Sequence, residues 1–368
     1  MNWSPDLKIQ AESLTDQISA YPEDSFRAAL DAETFLRAQH FLAGVRAYHK
    51  HPYERCLSEA PVLWQDGASR LLDYGGPDNS PVVLAVPSLI NKAYILDLSE
   101  KRSLMRSLAD KGIRCFLLDW GEPGAAEKEF TLEDYILERL NNAVTEIHRQ
   151  CNRPVTLIGY CMGGVLCTAL AALEPDKIDR LALLATPWDF HAGSSRHAHI
   201  MRCAQPQLES LIQTLGLLPV DMIQSLFAAI DPYQILQKFM EFSKMDPASR
   251  TAEKFVAMED WINDGVPLVG NVARDCLFGW YIDNKPGRGI WEIDGHFIDP
   301  REIHHPTYLV IPQNDRIASP ESAHALAQKL PNRQVKTVKA GHIGMMTGRN
   351  AQRGLYTPLA KWLLTQEK

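Results

Sequence analysis

The sequence has no Cys-x-x-Cys pair: its seven cysteines are scattered at positions 56, 115, 151, 161, 167, 203 and 276. Neither a zinc ribbon nor a disulfide framework is expected from that spacing, and an odd count leaves at least one thiol outside any intramolecular bridge. No segment reaches the ~18 uninterrupted apolar residues of a membrane span. The opening MNWSPDLKIQAESLTDQ carries acids and lacks a basic stretch leading into an apolar one, so no secretory signal is expected. A cytoplasmic protein with reduced thiols is the resulting expectation. Positive charge is in deficit as well. With 38 Lys and Arg against 45 Asp and Glu, the net charge of -7 speaks against a nucleic-acid binder, which needs a basic stripe. Internal repeats and low-complexity tracts are absent. What is present is ordinary for a folded chain: 368 residues, 45% hydrophobic and 23% charged, enough to bury a sizeable core.

Residues 1 to about 58 read as helical, because Phe26, Leu30, Phe35, Phe41, Leu42 and Val45 recur near one helix face. VLWQDGASRLLDYG (62–75) reads as two short strands around the hairpin signal Asp66-Gly67. The pattern then changes. VVLAV (82–86), RCFLLDW (114–120), VTLIG (155–159), LALLA (181–185), TYLVIP (307–312) and VKTV (335–338) suit strands buried on both faces of a parallel sheet. Helices are expected between them at 95–111, 131–150, 162–173, 320–330 and 352–366. This alternation predicts an α/β fold with a mostly parallel sheet and helices on both faces. About 120 residues separate LALLA from TYLVIP, and they include amphipathic segments such as LESLIQTLGLL. So long and apolar a stretch is not a loose loop. It reads as a helical cap over the carboxyl edge of the sheet, where open α/β sheets place their ligands. The expected organisation is a helical N-terminal segment (1–58), a core (59–190 and 300–368) and a cap or lid insertion (191–299).

The strand VTLIG runs into Tyr160-Cys161-Met162-Gly163-Gly164 and then into the apolar segment VLCTALAAL. This is the outline of a nucleophile elbow, G-x-C-x-G, with cysteine in place of serine. Gly159 and Gly163 flank Cys161 by two residues, where a side chain would collide with the tight turn, and Gly164 lets the helix pack closely. Cys161 at a helix N-terminus is expected to be an activated thiol. The Met162 N–H is expected to face a developing oxyanion. A buried structural cysteine in a β–α turn is the competing reading, and the strand–turn–helix context weighs against it.

Asp315 follows the strand TYLVIP, and His342 follows VKTV. Nucleophile, acid, histidine is the chain order of the α/β-hydrolase fold. His342 would deprotonate Cys161, while Asp315 would orient His342 or act on an incoming hydroxyl. Ser319 is the better cap for the helix that starts at Pro320, which leaves Asp315 without a structural task of its own. His197, His199, His304 and His305 lack the carboxylate or cysteine spacing of a metal site and read as loop residues. A thiolate attacking a thioester exchanges one thioester for another, a nearly thermoneutral step. That favours acyl transfer from coenzyme A over simple ester hydrolysis. The other six cysteines read as small buried hydrophobes.

These segments resemble the polyhydroxyalkanoate synthases, particularly the short catalytic subunits of the two-component, class III type. The resemblance covers about residues 60 to 365 and rests on VPSLINKAYILDL (86–98), LLDWGEP (117–123), GYCMGG (159–164), LLATPWDF (183–190), IPQNDRIASP and AGHIGMM. It implies an α/β-hydrolase fold, with Cys161 as nucleophile, His342 as base and Asp315 assisting the hydroxyl of the next monomer. It implies a second oxyanion N–H from the 87–90 loop, here Leu89. The substrate would be an (R)-3-hydroxyacyl-coenzyme A and the product a polyester, with no metal or redox cofactor. The apolar cap would suit a covered channel, a homodimer contact, a companion subunit or a polymer-granule surface. Local cations such as Lys92, Arg196 or Arg316 are candidates to meet coenzyme A phosphates, although a solvated surface charge is the expected reading of any one of them. The chain departs from the family pattern at Arg316, where histidine is usual, at Ser88, where proline is common, in GMMTGRN after the histidine, and across WINDGVPLVGNVARDCLFGWYIDN (261–284). A hydrolase, thioesterase or depolymerase using the same three residues stays open at this point.

Overall fold

The computed structural model describes residues 5–193 and 196–365, without the side chains of residues 5, 6, 196 and 197. Arg196 and His197, raised above, therefore lie outside the described side chains. The chain divides into two compact units, one made of residues up to Tyr53 with Asp231–Val256, the other of Glu54–Ile230 with Ala257 onwards.

The larger unit is built on eight strands: β1 (Val62–Asp66), β2 (Ser69–Asp73), β3 (Val82–Val86), β4 (Arg114–Asp119), β5 (Val155–Tyr160), β6 (Ile178–Leu184), β7 (Thr307–Pro312) and β8 (Arg333–Val338). They lie in the order β1-β2-β4-β3-β5-β6-β7-β8. β1 and β2 form the expected hairpin, and β2 runs antiparallel to β4. All other pairs are parallel. β3, β5 and β7 are buried at every position, as continuous apolar runs require when helices cover both faces. The chain leaves β3 toward β4 on one side and returns to β5 on the other. The carboxyl ends of β3 and β5 thus border the topological switch point, where ligands bind in open α/β sheets. Register carries that edge across the sheet: Val86 pairs with Gly159, Tyr160 with Leu184, and Pro312 with Val338. The loops bearing Leu89, Cys161, Asp315 and His342 all leave from this edge.

Some elements differ from the sequence expectation. The N-terminal helices span Pro5–Ser19 and Glu23–His49, and the chain from Lys50 to Pro61 is neither helix nor strand. The stretch 95–111 is not one helix. It is a 3-10 turn (Ala93–Leu96), a short ribbon, and then the helix Leu104–Ala109 capped by Ser103. Buried Asp97 explains the break. Its carboxylate accepts hydrogen bonds from Arg106 Nε at 2.8 Å and Tyr74 OH at 3.0 Å, partners that a continuous helix would not bring to it. Within 131–150 a π-helical segment, Asp134–Leu140, precedes the α-helix Asn141–Cys151.

In the smaller unit Gly44 lies against the Phe239 carbonyl so closely that a Cβ would overlap it. The Phe239 ring meets Phe41 and Tyr48 edge-on, and Phe242 stacks on Phe255 with centroids 4.3 Å apart. Residues 231–256, read as part of a single insertion, belong to this unit with the N-terminal helices.

Candidate active site

Cys161 stands between β5 and the helix Met162–Leu173 with φ 55° and ψ -124°. A non-glycine residue in that region is strained, and it persists here because its surroundings over-determine it. Its N–H donates to the Leu184 carbonyl at 2.9 Å, and its own carbonyl accepts from Gly164 N–H at 3.0 Å. A Cβ on Gly159 would collide with the Gly164 backbone, one on Gly163 with the carbonyl oxygens of Val86 and Pro87, and one on Gly164 with the Thr186 side chain. The three glycines therefore let the helix start hard against β3 and β6, with Cys161 at its N-terminal end.

His342 opens the short helix His342–Thr347, with Gly341 before it in extended conformation. Its Nδ1 lies 2.6 Å from Asp315 Oδ2. Cys161 is its other charged neighbour. Both His342 and Asp315 are buried. Burial works against a charged imidazole. The negative charges of Cys161 and Asp315, with the Asp315 hydrogen bond, outweigh it and push His342 up to about 10. Asp315 Oδ1 accepts the N–H groups of Ile317 and Ala318 at 2.9 Å each. Asp315 thus does hold its turn, a structural task the sequence reading had denied it. Ser319 caps the next helix as expected, accepting Ser322 N–H at 3.1 Å.

Tyr160 is a contributor that sequence reasoning passed over. Its ring lies 5.2 Å from the imidazole centroid, and its hydroxyl donates to the His342 carbonyl at 3.3 Å. Its place immediately before the nucleophile was the available signal.

An apolar cavity of about 80 Å³ opens beside Cys161, lined among others by Ser88, Ile90, Met162, Phe190, Phe227, Cys276, Trp280 and Tyr281. The last three come from the π-helical segment Asp275–Ile282, whose wider turn delivers adjacent residues to one site. The Phe190 ring stacks on Trp280 and meets Tyr281 edge-on. Burial, then the charges of Cys161, Cys276 and Asp315, push the Tyr281 phenol up, so it stays protonated. The Leu89 side chain faces a different small cavity, beside Trp120, while its neighbours Ser88 and Ile90 face Cys161. Among the described residues the buried Leu89 has no acceptor for its N–H. Met162, as the first helical residue, has no intrahelical acceptor for its own.

The remaining candidates lie elsewhere. Lys92 is ion-paired with Asp264 at 3.2 Å. Arg316 is exposed and already engaged by a neighbour. His199 lies 3.7 Å from Cys203 Sγ, and His305 Nε2 lies 3.0 Å from the Pro175 carbonyl. No three His, Cys, Asp or Glu side chains gather as a metal site among the described residues, and no described helix is long and apolar enough to cross a membrane.

Residues 81–349 match the family model of the alpha/beta hydrolase fold. The poly(3-hydroxyalkanoate) polymerase subunit PhaC of Synechocystis is 31% identical over 290 residues, 76% of this chain and 77% of that protein. The subunit of the same name from Haloarcula marismortui is 30% identical over 317 residues, and the match spans 82% of this chain and 66% of that relative's length. Among solved structures, the monoacylglycerol lipase of Paleococcus ferrophilus superposes with a TM-score of 0.50 at 15% identity, covering 80% of this chain and 97% of that one. That likeness speaks to the fold alone.

Proposed function

The chain belongs to the poly(3-hydroxyalkanoate) polymerase family within the α/β-hydrolase superfamily, and from that premise we propose that it joins (R)-3-hydroxyacyl groups from coenzyme A thioesters into a polyester. One observation carries the reading: a cysteine on a strained elbow, beside a histidine that feels its charge and is itself held by a buried aspartate. His342 takes the Cys161 proton, and Sγ attacks the thioester carbonyl. The carbonyl oxygen gains negative charge within reach of the Met162 and Leu89 N–H groups. The C–S bond to coenzyme A breaks, His342 returns the proton to the departing thiolate, and the acyl group stays on Cys161. The hydroxyl of a second hydroxyacyl unit then gives its proton to His342 and attacks the Cys161 thioester, forming the ester bond and freeing the thiol. Asp315 orients the imidazole and balances its charge in both halves.

Cysteine suits this sequence better than serine. The acyl-enzyme is itself a thioester, so acylation is nearly isoenergetic and the stored group remains reactive toward an alcohol. The apolar cavity holds the acyl chain. The reading uses no metal or redox group, and it places the protein at the surface of growing polymer in the cytoplasm, as a homodimer or with a companion subunit.

The test is incubation with (R)-3-hydroxybutyryl-coenzyme A, following coenzyme A, free acid and polymer in wild type and Cys161→Ala. Coenzyme A release with insoluble polymer is expected, both lost in the variant. Free 3-hydroxybutyrate equal to the coenzyme A released would overturn polymerisation in favour of hydrolysis.

A further inference from the structure

The loop that leaves β3 and carries Leu89 is gripped along its length by one segment of the chain far away in sequence. Val266 N–H donates to the Ile90 carbonyl at 3.0 Å, and Asn91 bridges Gly265 in antiparallel fashion. Trp261 Nε1 donates to the Lys92 carbonyl at 2.8 Å. Lys92 Nζ is ion-paired with Asp264 at 3.2 Å, and burial, then the charge of Asp264, pushes the Tyr94 phenol up. Trp261 is buried, so its indole N–H is spent on this one carbonyl. The grip is also tied to the cavity. Gln224 Nε2 donates to the Ile262 carbonyl at 2.9 Å, and Gln224 sits on the helix whose Ile223 and Phe227 line the space beside Cys161.

We propose that Trp261 and Asp264 are positioning residues for oxyanion stabilisation, fixing the β3 loop so that the Leu89 N–H stays aimed at the carbonyl attacked by Cys161. The inference rests on the acyl-enzyme reading above, and it is independent of whether the acyl group goes on to polymer or to water. The physical need is plain. A loop peptide N–H can stabilise a developing oxyanion only if it does not reorganise during the step. The loop's preceding residues are fixed by β3, and its following ones are fixed by this clamp. Trp261 and Asp264 touch neither substrate nor reacting atoms, so their effect must pass through the loop.

Two reactions of the same thiol separate this role from general damage. Acylation by (R)-3-hydroxybutyryl-coenzyme A passes through a tetrahedral oxyanion. Alkylation of Cys161 by iodoacetamide does not, and reports only the thiol and His342. Trp261→Phe keeps the aromatic bulk and loses the N–H; Asp264→Ala removes the ion pair with Lys92 at a partly exposed site. In single-turnover experiments Trp261→Phe should acylate about 100-fold more slowly, the cost of a group misplaced by around 1 Å, with Asp264→Ala slowed in the same direction. Alkylation should stay within about twofold of wild type, since the elbow and His342 are untouched. Wild-type acylation in both variants would overturn the clamp, as would parallel loss of acylation and alkylation. Should Trp261→Phe fail to fold, Asp264→Ala decides alone. A wild-type enzyme that alkylates at Cys161 yet never acylates would overturn the proposed function itself, and the clamp with it.

Discussion

His342 Nδ1 sits 2.6 Å from Asp315 Oδ2 while the other oxygen of Asp315 is occupied by two backbone N–H groups. Both carboxylate oxygens are therefore committed, and in the proposed reaction Asp315 reaches the incoming hydroxyl only through the imidazole. Asp315→Asn should keep the turn, because the amide oxygen can still accept from Ile317 and Ala318. It should present an N–H to Nδ1 and hold the wrong tautomer. Turnover is expected to fall by about 10⁴-fold, by analogy with the triad aspartate of serine proteases, with little change in melting temperature. Steady-state coenzyme A release and calorimetry check this. A loss below tenfold would mean that His342 does not depend on Asp315.

The charge on His342 makes a signed prediction about stability and pH. Its ordinary value is 6.5, and in the folded protein it is pushed up to about 10. A raised value means that the folded state binds the proton more tightly than the unfolded chain. The contribution is complete below 6.5 and is lost as pH rises toward 10. Melting temperature should fall between these limits more steeply for wild type than for His342→Gln. In Cys161→Ala the imidazole loses one of the charges that raise it, so its titration by NMR should move downward.

The fold was legible wherever one physical demand governed a segment. β3, β5 and β7 are buried on both faces, so mostly apolar, often β-branched residues stand there, and the runs announce themselves. Cys161 was legible because its turn needs glycines at fixed offsets; Asp315 and His342 were legible because they follow strands. What escaped depends on pairs distant in the chain. Nothing around residue 97 says that Asp97 will be buried beneath Arg106 and Tyr74, yet that burial breaks the expected helix at 95–111. Lys92 read as a solvated charge or a phosphate contact, because its partner Asp264 lies far away in sequence. Nothing in the sequence singled out Trp280 and Tyr281, since a π-helical turn leaves no clear periodicity to read.

Gly163 and Gly344 make a matched pair near the site. A Cβ on Gly163 would overlap the carbonyl oxygens of Val86 and Pro87, backbone atoms that cannot swing aside. Gly163→Ala should destabilise the protein by about 1–3 kcal/mol in urea unfolding, with Cys161 alkylation slowed as the elbow is pushed from β3. A Cβ on Gly344, inside the helix His342–Thr347, meets nothing within 4 Å. Gly344→Ala should be neutral or stabilising by up to ~1 kcal/mol, because the unfolded chain loses freedom it no longer has to give up. Equal costs for both substitutions would refute the close approach of elbow and β3.

Phe227 tests whether the cavity beside Cys161 is where the acyl chain rests. It lies on the helix Val220–Ala228, and its ring forms part of the lining without belonging to the elbow, His342 or the β3 loop. The cavity is small and almost wholly apolar, so each added methylene of a hydroxyacyl group must find room against such side chains. A methylene in a hydrophobic pocket is worth about 10- to 200-fold in kcat/KM, and shortening Phe227 to alanine should return part of that. The ratio of kcat/KM for 3-hydroxyhexanoyl- over 3-hydroxybutyryl-coenzyme A should rise by about tenfold in Phe227→Ala. Most of the change should come from the longer substrate, because the shorter one already fits and only loses contacts. Cys161 alkylation should stay at the wild-type rate, showing an intact nucleophile. A ratio equal to that of wild type would place the acyl chain outside this cavity.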